Sequence, residues 1–221
     1  MDLESPLAEW KACSRPGGSE LRGSKTALQP LDWKRHGPSL FANVAGEPNA
    51  DLWRYIPFGP FPEREGFEAV FEAIRAGAGW ETMVVVDLET AEARGMASYM
   101  EIREAHGVVE IGCVVFGHGM QRTFASTEAL YLMARHVFDD LGYRRYEWKC
   151  DDANEASKRA ARRFGFEFEG VFRNHQIVKG RNRDTAWFSI IDREWPDRRR
   201  ALESWLAPDN FDESGHQKHS L

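Results

Sequence analysis

Cysteine is scarce in this chain: Cys13, Cys113 and Cys150 are the only three among 221 residues. They lie far apart and form no CxxC pair. A disulfide framework is excluded, which fits a reducing compartment. No apolar run approaches the roughly 20 residues that a membrane-crossing helix needs. Met1 to Gly23 lacks a basic start followed by an apolar stretch, so it does not read as an export signal. Together these absences imply a cytoplasmic location and no membrane partner. Excess positive charge is missing as well. Lysine and arginine number 29 against 35 acidic residues, a formal net charge of -6. A nucleic-acid partner gets no support from that balance. The basic runs at Ser157 to Arg163 and Arg198-Arg199-Arg200 read as solvated faces. There is no internal repeat, no low-complexity block, no metal set with convincing spacing and no GxSxG elbow. Gly117-His118-Gly119 lacks the third glycine of a dinucleotide site and reads as a turn.

What is present is ordinary globular composition, 42% hydrophobic and 29% charged, in a length suited to one domain. We divide it into a flexible leader at 1–20, a domain at 21–195, a C-terminal helix at 196–207 and a flexible tail at 208–221. Thr26 to Leu31 predicts a short strand and Lys34 to Ala45 a helix. Phe67, Val70, Phe71 and Ile74 recur at spacings of three and four, predicting an amphipathic helix over Arg64 to Ala76. Thr82 to Leu88, Gly95 to Arg103 and Val108 to Phe116 read as strands. Leu130, Met133, Ala134, Val137, Phe138 and Leu141 predict a helix with one apolar face, stopped at Gly142. Arg144 to Cys150 is another strand, and Asn154 caps a helix that ends at Gly165. Phe166 to Val178 and Asp184 to Ile191 read as a hairpin about Gly180-Arg181-Asn182. Pro196 to Leu206 closes the chain as a helix. A mixed sheet with helices on its faces is the economical packing.

Two stretches carry chemistry. The first, Gln121-Arg122-Thr123-Phe124-Ala125-Ser126, leads into a helix. Its exposed amides and partial positive charge suit an anion. The bland alternative is a strand-to-helix turn with a solvated Gln-Arg pair. The second is Asn154-Glu155-Ala156-Ser157, closed by Gly165-Phe166. Upstream, Glu110 interrupts an apolar strand (VVEIGCVVF), where burial raises a carboxyl's proton affinity. It reads as a base or as a rim glutamate paired with a neighbour. Cys113 on the same strand reads as a buried apolar residue.

In its order of elements and these two motifs, the chain resembles the GNAT acetyltransferases, in particular the branch similar to the ribosomal-protein N-acetyltransferases. The resemblance spans about Leu21 to Trp195. The family pattern Q/R-x-x-G-x-G/A matches residues 121 to 126, except that Phe124 stands where glycine is usual. The resemblance implies an α/β fold with a mixed, mostly antiparallel, twisted sheet flanked by helices. It implies acetyl-CoA as cosubstrate and a primary amine, a protein N-terminus or a small molecule, as acceptor, attacking directly in a ternary complex. By the same resemblance Gln121, Arg122, Thr123, Phe124, Ala125 and Ser126 hold the pyrophosphate. Val114, Val115 and Phe116 pair with the pantetheine arm, Asn154 contacts the cofactor, and Ser157 binds near the sulfur and acts catalytically by protonating the departing thiolate. Glu110, eleven positions before Gln121, is the catalytic base. Trp53, Tyr55, Tyr99 and Glu101 fall in the regions that build the acceptor site, although aromatics there also read as core. Another acyl donor such as succinyl-CoA, or a non-catalytic CoA-binding module, are the rival readings. Homodimers are common in the family.

Overall fold

The computed structural model describes residues 9–212 and 216–221. One eight-stranded sheet organises the chain, with strand order β1-β2-β3-β4-β5-β6-β8-β7. Its strands are β1 (Leu21–Arg22), β2 (Thr26–Pro30), β3 (Glu81–Asp87), β4 (Ala93–Arg103), β5 (Val108–Phe116), β6 (Arg145–Asp151), β7 (Glu167–Val178) and β8 (Arg181–Ile191). Every pairing is antiparallel except β5 with β6. The expected mixed, mostly antiparallel sheet is therefore present.

Helices cover both faces. On one lie α1 (Trp33–Val44) and α2 (Arg64–Ala78), joined through a short 3-10 helix at Glu47–Trp53. Their apolar stripes bury Leu40, Val44, Phe67 and Phe71 against Val84, Val86, Met96 and Val115. On the other lie α3 (Phe124–Arg135), α4 (Glu155–Arg163) and α5 (Trp195–Leu206), which close over Val109, Ile111, Tyr146 and Trp148. The sheet thus separates two cores.

Local chemistry sets the helix starts. Asp32 Oδ1 accepts from the amides of Lys34 and Arg35 at the head of α1, and Thr123 and Ser126 cap α3 reciprocally, as small polar side chains do at N-caps. α2 has the predicted stripe. α3 differs from the one-faced helix expected: every residue from Ser126 to Ala134 is buried. It lies between the sheet, the β1–β2 edge and α5, so periodicity understates its burial. The β7–β8 turn also differs. Lys179 and Gly180 both have positive φ, 49° and 73°, the two-residue geometry that matches strand twist. Arg181 already pairs with Val178, so β8 starts earlier than expected.

The segments expected to be loose carry specific contacts where they are described. In the leader, Arg15 pairs with Glu81 and Glu104, and Cys13 N–H donates to the Glu104 carbonyl. In the tail, Phe211 packs edge-on against Phe124 and Trp205. Residues 1–8 and 213–215 of those segments lie outside the described residues. Among the described residues, no helix is long and apolar enough to cross a membrane.

One buried carboxylate ties β1 and β2 to α3. Glu128 accepts from the amides of Ser24, Lys25 and Thr26 and from the hydroxyls of Ser24 and Thr26, at 2.6–2.9 Å. Burial pushes its carboxyl up, but these hydrogen bonds prevail and hold it below the usual range.

Candidate active site at a fork in the sheet

The site is built where β5 and β6 separate. They pair in parallel from Val108↔Arg145 to Ile111↔Trp148 and no further. A bulge drives the separation: β5 shifts register against β4 between Ser98↔Gly112 and Met96↔Val115. Within it Cys113 adopts φ +46°, a conformation that a side chain disfavours. Such bulges bend a strand away from its neighbour. From Gly112 to Phe116, the edge of β5 that would face β6 pairs with no described strand. Gly112 leaves room there for the end of the Met100 side chain: a Cβ would meet Met100 Sδ at 2.4 Å and Glu110 Oε1 at 3.4 Å.

Both strands run into helices at the open end of this fork. After β5 the chain turns through Gln121 and Arg122, both exposed, with Arg122 at φ +59°. The capping box occupies two of the local amides: Ser126 N–H donates to Thr123 Oγ1, and Thr123 N–H donates to Ser126 Oγ. The amides of Phe124 and Ala125, in the first turn of α3, have no intrahelical acceptor. After β6, Asn154 Oδ1 accepts from the Ser157 amide at 3.1 Å, capping α4. Ser157 Oγ accepts from Trp148 Nε1 at 2.9 Å. Phe124, the departure from glycine, stacks on Trp205 and is overlain by Lys25. Its side chain docks the C-terminal helix, and its backbone N–H is retained.

Glu110 lies on the opposite face. It sits across from Glu147 in the β5–β6 register and is only 5% exposed. Its carboxylate meets Lys149 Nζ at 2.8 Å. Burial raises its proton affinity, Lys149 opposes that, and Glu147 and Glu101 add to it. The balance leaves Glu110 above the usual carboxylate range. Glu147 goes the other way. Although burial pushes it up, Arg145, Lys149 and Arg103 hold it low. Neighbouring carboxyls driven apart in this manner mark a site where one group can exchange protons. Burial pushes the half-buried Cys113 thiol up to about 12, away from the range of a reactive thiolate.

The segment after α1 stands over the fork. Tyr55 OH donates to the Ala153 carbonyl at 3.3 Å, Lys179 Nζ donates to the Trp53 carbonyl at 2.8 Å, and His118 meets Asp51 at 3.2 Å. Tyr55 is half-buried and Glu101 exposed, at a bulge with φ +44°. The other two expected acceptor-site residues require correction. Trp53 is fully buried in an aromatic cluster with Phe58, Phe61, Phe67 and Phe71, and its Nε1 donates to the Val44 carbonyl. Tyr99 is fully buried under α3, donating to the Met133 carbonyl. Each polar tip is satisfied inside the protein, so neither lines an open surface. We expect Trp53→Ala to cost about 3–5 kcal/mol in denaturant unfolding, the usual range for a large core truncation.

Sequence reasoning passed over Lys149 and the network around it. Arg145, Glu147 and Lys149 alternate with the core-facing Tyr146, Trp148 and Cys150, so strand alternation alone puts three charges on one face. Lys149 Nζ also lies 4.1 Å from the centre of the Trp187 ring. The indole Nε1 of Trp187 is buried without a partner among the described residues.

A family model described as "Acetyltransferase (GNAT) domain" matches residues 27–167. A GCN5-related N-acetyltransferase from Brucella melitensis has a solved structure that is 41% identical, with a TM-score of 0.92 and 97% of each chain covered. The uncharacterized N-acetyltransferase p20 of Bacillus licheniformis is 26% identical over 149 residues, which cover 66% of this chain and 83% of the relative. The fork, the two capped helices at its open end and these likenesses agree: the chain belongs to the GNAT family of acetyltransferases.

Proposed function

We propose that this acyltransferase moves the acetyl group of acetyl-CoA to a primary amine at the fork between β5 and β6. One observation carries the reading. A buried carboxylate stands on one face of the fork, two helix N-termini stand at its open end, and an unpaired strand edge joins them.

The residues present fit the cosubstrate. The amides of Phe124 and Ala125, with the exposed Arg122, supply donors and charge for a pyrophosphate at the start of α3. The free edge of β5 over Val114, Val115 and Phe116 offers backbone groups to the amides of a pantetheine arm. Among the described residues nothing accepts from the Asn154 side-chain NH2, which remains for the cofactor. Glu110 takes the proton as the amine nitrogen bonds to the acyl carbon and the C–S bond breaks. A protonated amine has no lone pair, and free alkyl amines hold their proton to about pH 10. The thiolate leaves readily because thiol pKa values are about 8.5, and Ser157 Oγ is the donor we assign to it.

Glu110, Glu147 and Glu169 pair with Lys149, Arg145 and Arg103, and the exposed Glu101 adds a negative charge beside them. Tyr55 and Glu101 border this network. The acceptor is a primary amine, on a protein N-terminus or a small molecule. A homodimer has a surface at β7, the sheet edge, where Phe168, Val171, Phe172 and Ile177 are exposed. We place the enzyme in the cytoplasm.

Calorimetric titration tests the donor. Acetyl-CoA is expected to bind with micromolar affinity, and the Arg122→Ala/Asn154→Ala variant to bind about tenfold or more weakly, the loss of one or two charge-assisted contacts. Tighter binding of succinyl-CoA would reassign the acyl group. No binding of any CoA thioester would remove the proposal.

A further inference from the structure

Lys149 is assigned no step of the reaction above, yet its side chain is largely buried at the fork among charged partners. It is the first residue of β6 beyond the last rung shared with β5, at the point where the strands part. Its side chain is 14% exposed. Burying an ammonium is costly unless it is paired, and this one has three partners. Glu110 lies at 2.8 Å, Glu147 at 3.5 Å and the Trp187 ring face at 4.1 Å. Glu147 does not depend on it, since Arg103 and Arg145 already neutralise that carboxylate at 2.7 and 2.8 Å. For Glu110, Lys149 is the one cation within ion-pair distance among the described residues.

We propose that Lys149 is a positioning residue for Glu110: clamped between the Trp187 ring and the two glutamates, its ammonium fixes the Glu110 carboxylate at the fork and sets the charge it carries. The proposal rests on Glu110 being the base. Burial and the facing carboxylates raise the proton affinity of Glu110, and Lys149 at 2.8 Å is the group that opposes them. Removing Lys149 would therefore raise that affinity further. Trp187 contributes as well: the Lys149 ammonium lies 4.1 Å from its ring centre, and a cation on an aromatic face resists drifting into water.

The groups that bear on Glu110 are Lys149 and Glu147 from β6 and Glu101 from β4. Lys149 faces both β5 and β6 glutamates and the Trp187 ring from β8. Behind Glu147 stand Arg103 of β4 and Arg145 of β6, and behind Arg145 stands Glu169 of β7.

The test uses the full chain with Lys149→Gln, which keeps a donor but not the charge, and Lys149→Arg, which keeps the charge. Glu110 is followed in the free enzyme by carboxyl carbon NMR, its signal assigned by its loss in Glu110→Gln. The pH profile of kcat/KM is measured in parallel. In Lys149→Gln the Glu110 midpoint and the acidic limb of the profile are expected to rise together by about one to three pH units, as when a close opposite charge is removed. Lys149→Arg is expected to stay near wild type in both. If the Gln variant folds and turns over but neither midpoint moves, Lys149 is structural and the proposal fails. If the NMR midpoint moves while Glu110→Gln retains full activity, the pairing stands and the assignment of Glu110 as base fails instead.

Discussion

Replacing Glu110 by glutamine is expected to lower kcat/KM by about 10²–10⁴-fold, the span general bases contribute. Acetyl-CoA affinity should stay close to wild type, since Glu110 lies on the face of the sheet opposite the helix N-termini. The substitution is nearly isosteric, and Gly112 with Met100 leaves the carboxamide the same space. It does remove the partner of Lys149, leaving a buried ammonium shared only with Glu147 and Trp187. Some stability is therefore lost, and unfolding must be measured beside kinetics to separate the two effects. A variant that folds, binds acetyl-CoA and retains full turnover at pH 7 would dismiss Glu110 as the base. If Glu110 is the base, wild-type activity falls on the acid side as its carboxyl protonates. Because burial holds that carboxyl above the ordinary range, the fall begins at a higher pH than an exposed glutamate would give.

The second large effect is structural. Glu128→Ala is expected to destabilise the protein by about 3–5 kcal/mol, the cost of removing one partner from a buried charged network. Five donors from Ser24, Lys25 and Thr26 converge on this carboxylate. Truncation would strand those that water cannot reach, and would loosen β1 and β2 from α3. A pH signature distinguishes this from simple loss of packing. The folded carboxyl titrates below its unfolded value of about 4.3. Its stabilisation is full above that value and is lost as pH falls through the folded midpoint. Wild type should therefore lose more stability than Glu128→Gln as pH falls from about 5 through the folded midpoint. Urea melts of both proteins across that range decide the matter, and parallel curves would contradict the assignment.

Much of this architecture is legible in the sequence because local chemistry and global packing agree. The stripe of Phe67, Val70, Phe71 and Ile74 could only be a helix face, and the VVEIGCVVF run could only be a buried strand with one misplaced charge. The partner of that charge was not legible. Lys149 reaches Glu110 through a parallel pairing, which no turn announces and no local spacing encodes. Trp53 and Tyr99 mislead for another reason. An aromatic residue whose polar tip meets a backbone carbonyl has the same composition signal as one that awaits a ligand. Only the location of Val44 and Met133 separates the two cases. The Phe124 departure was equally opaque, because its explanation, Trp205 and Phe211, lies on the far side of the sequence.

On the function proposed above, the parting of β5 and β6 would also govern traffic. Glu110 and Ser157 lie on opposite faces of one sheet, so a reaction that uses both has to reach through it. The donor would then enter beside α3 and α4 and the acceptor beneath the segment from Asp51 to Tyr55, and neither would block the other. Threading, rather than stacking, is the geometry that a linked two-substrate inhibitor of this enzyme would have to respect.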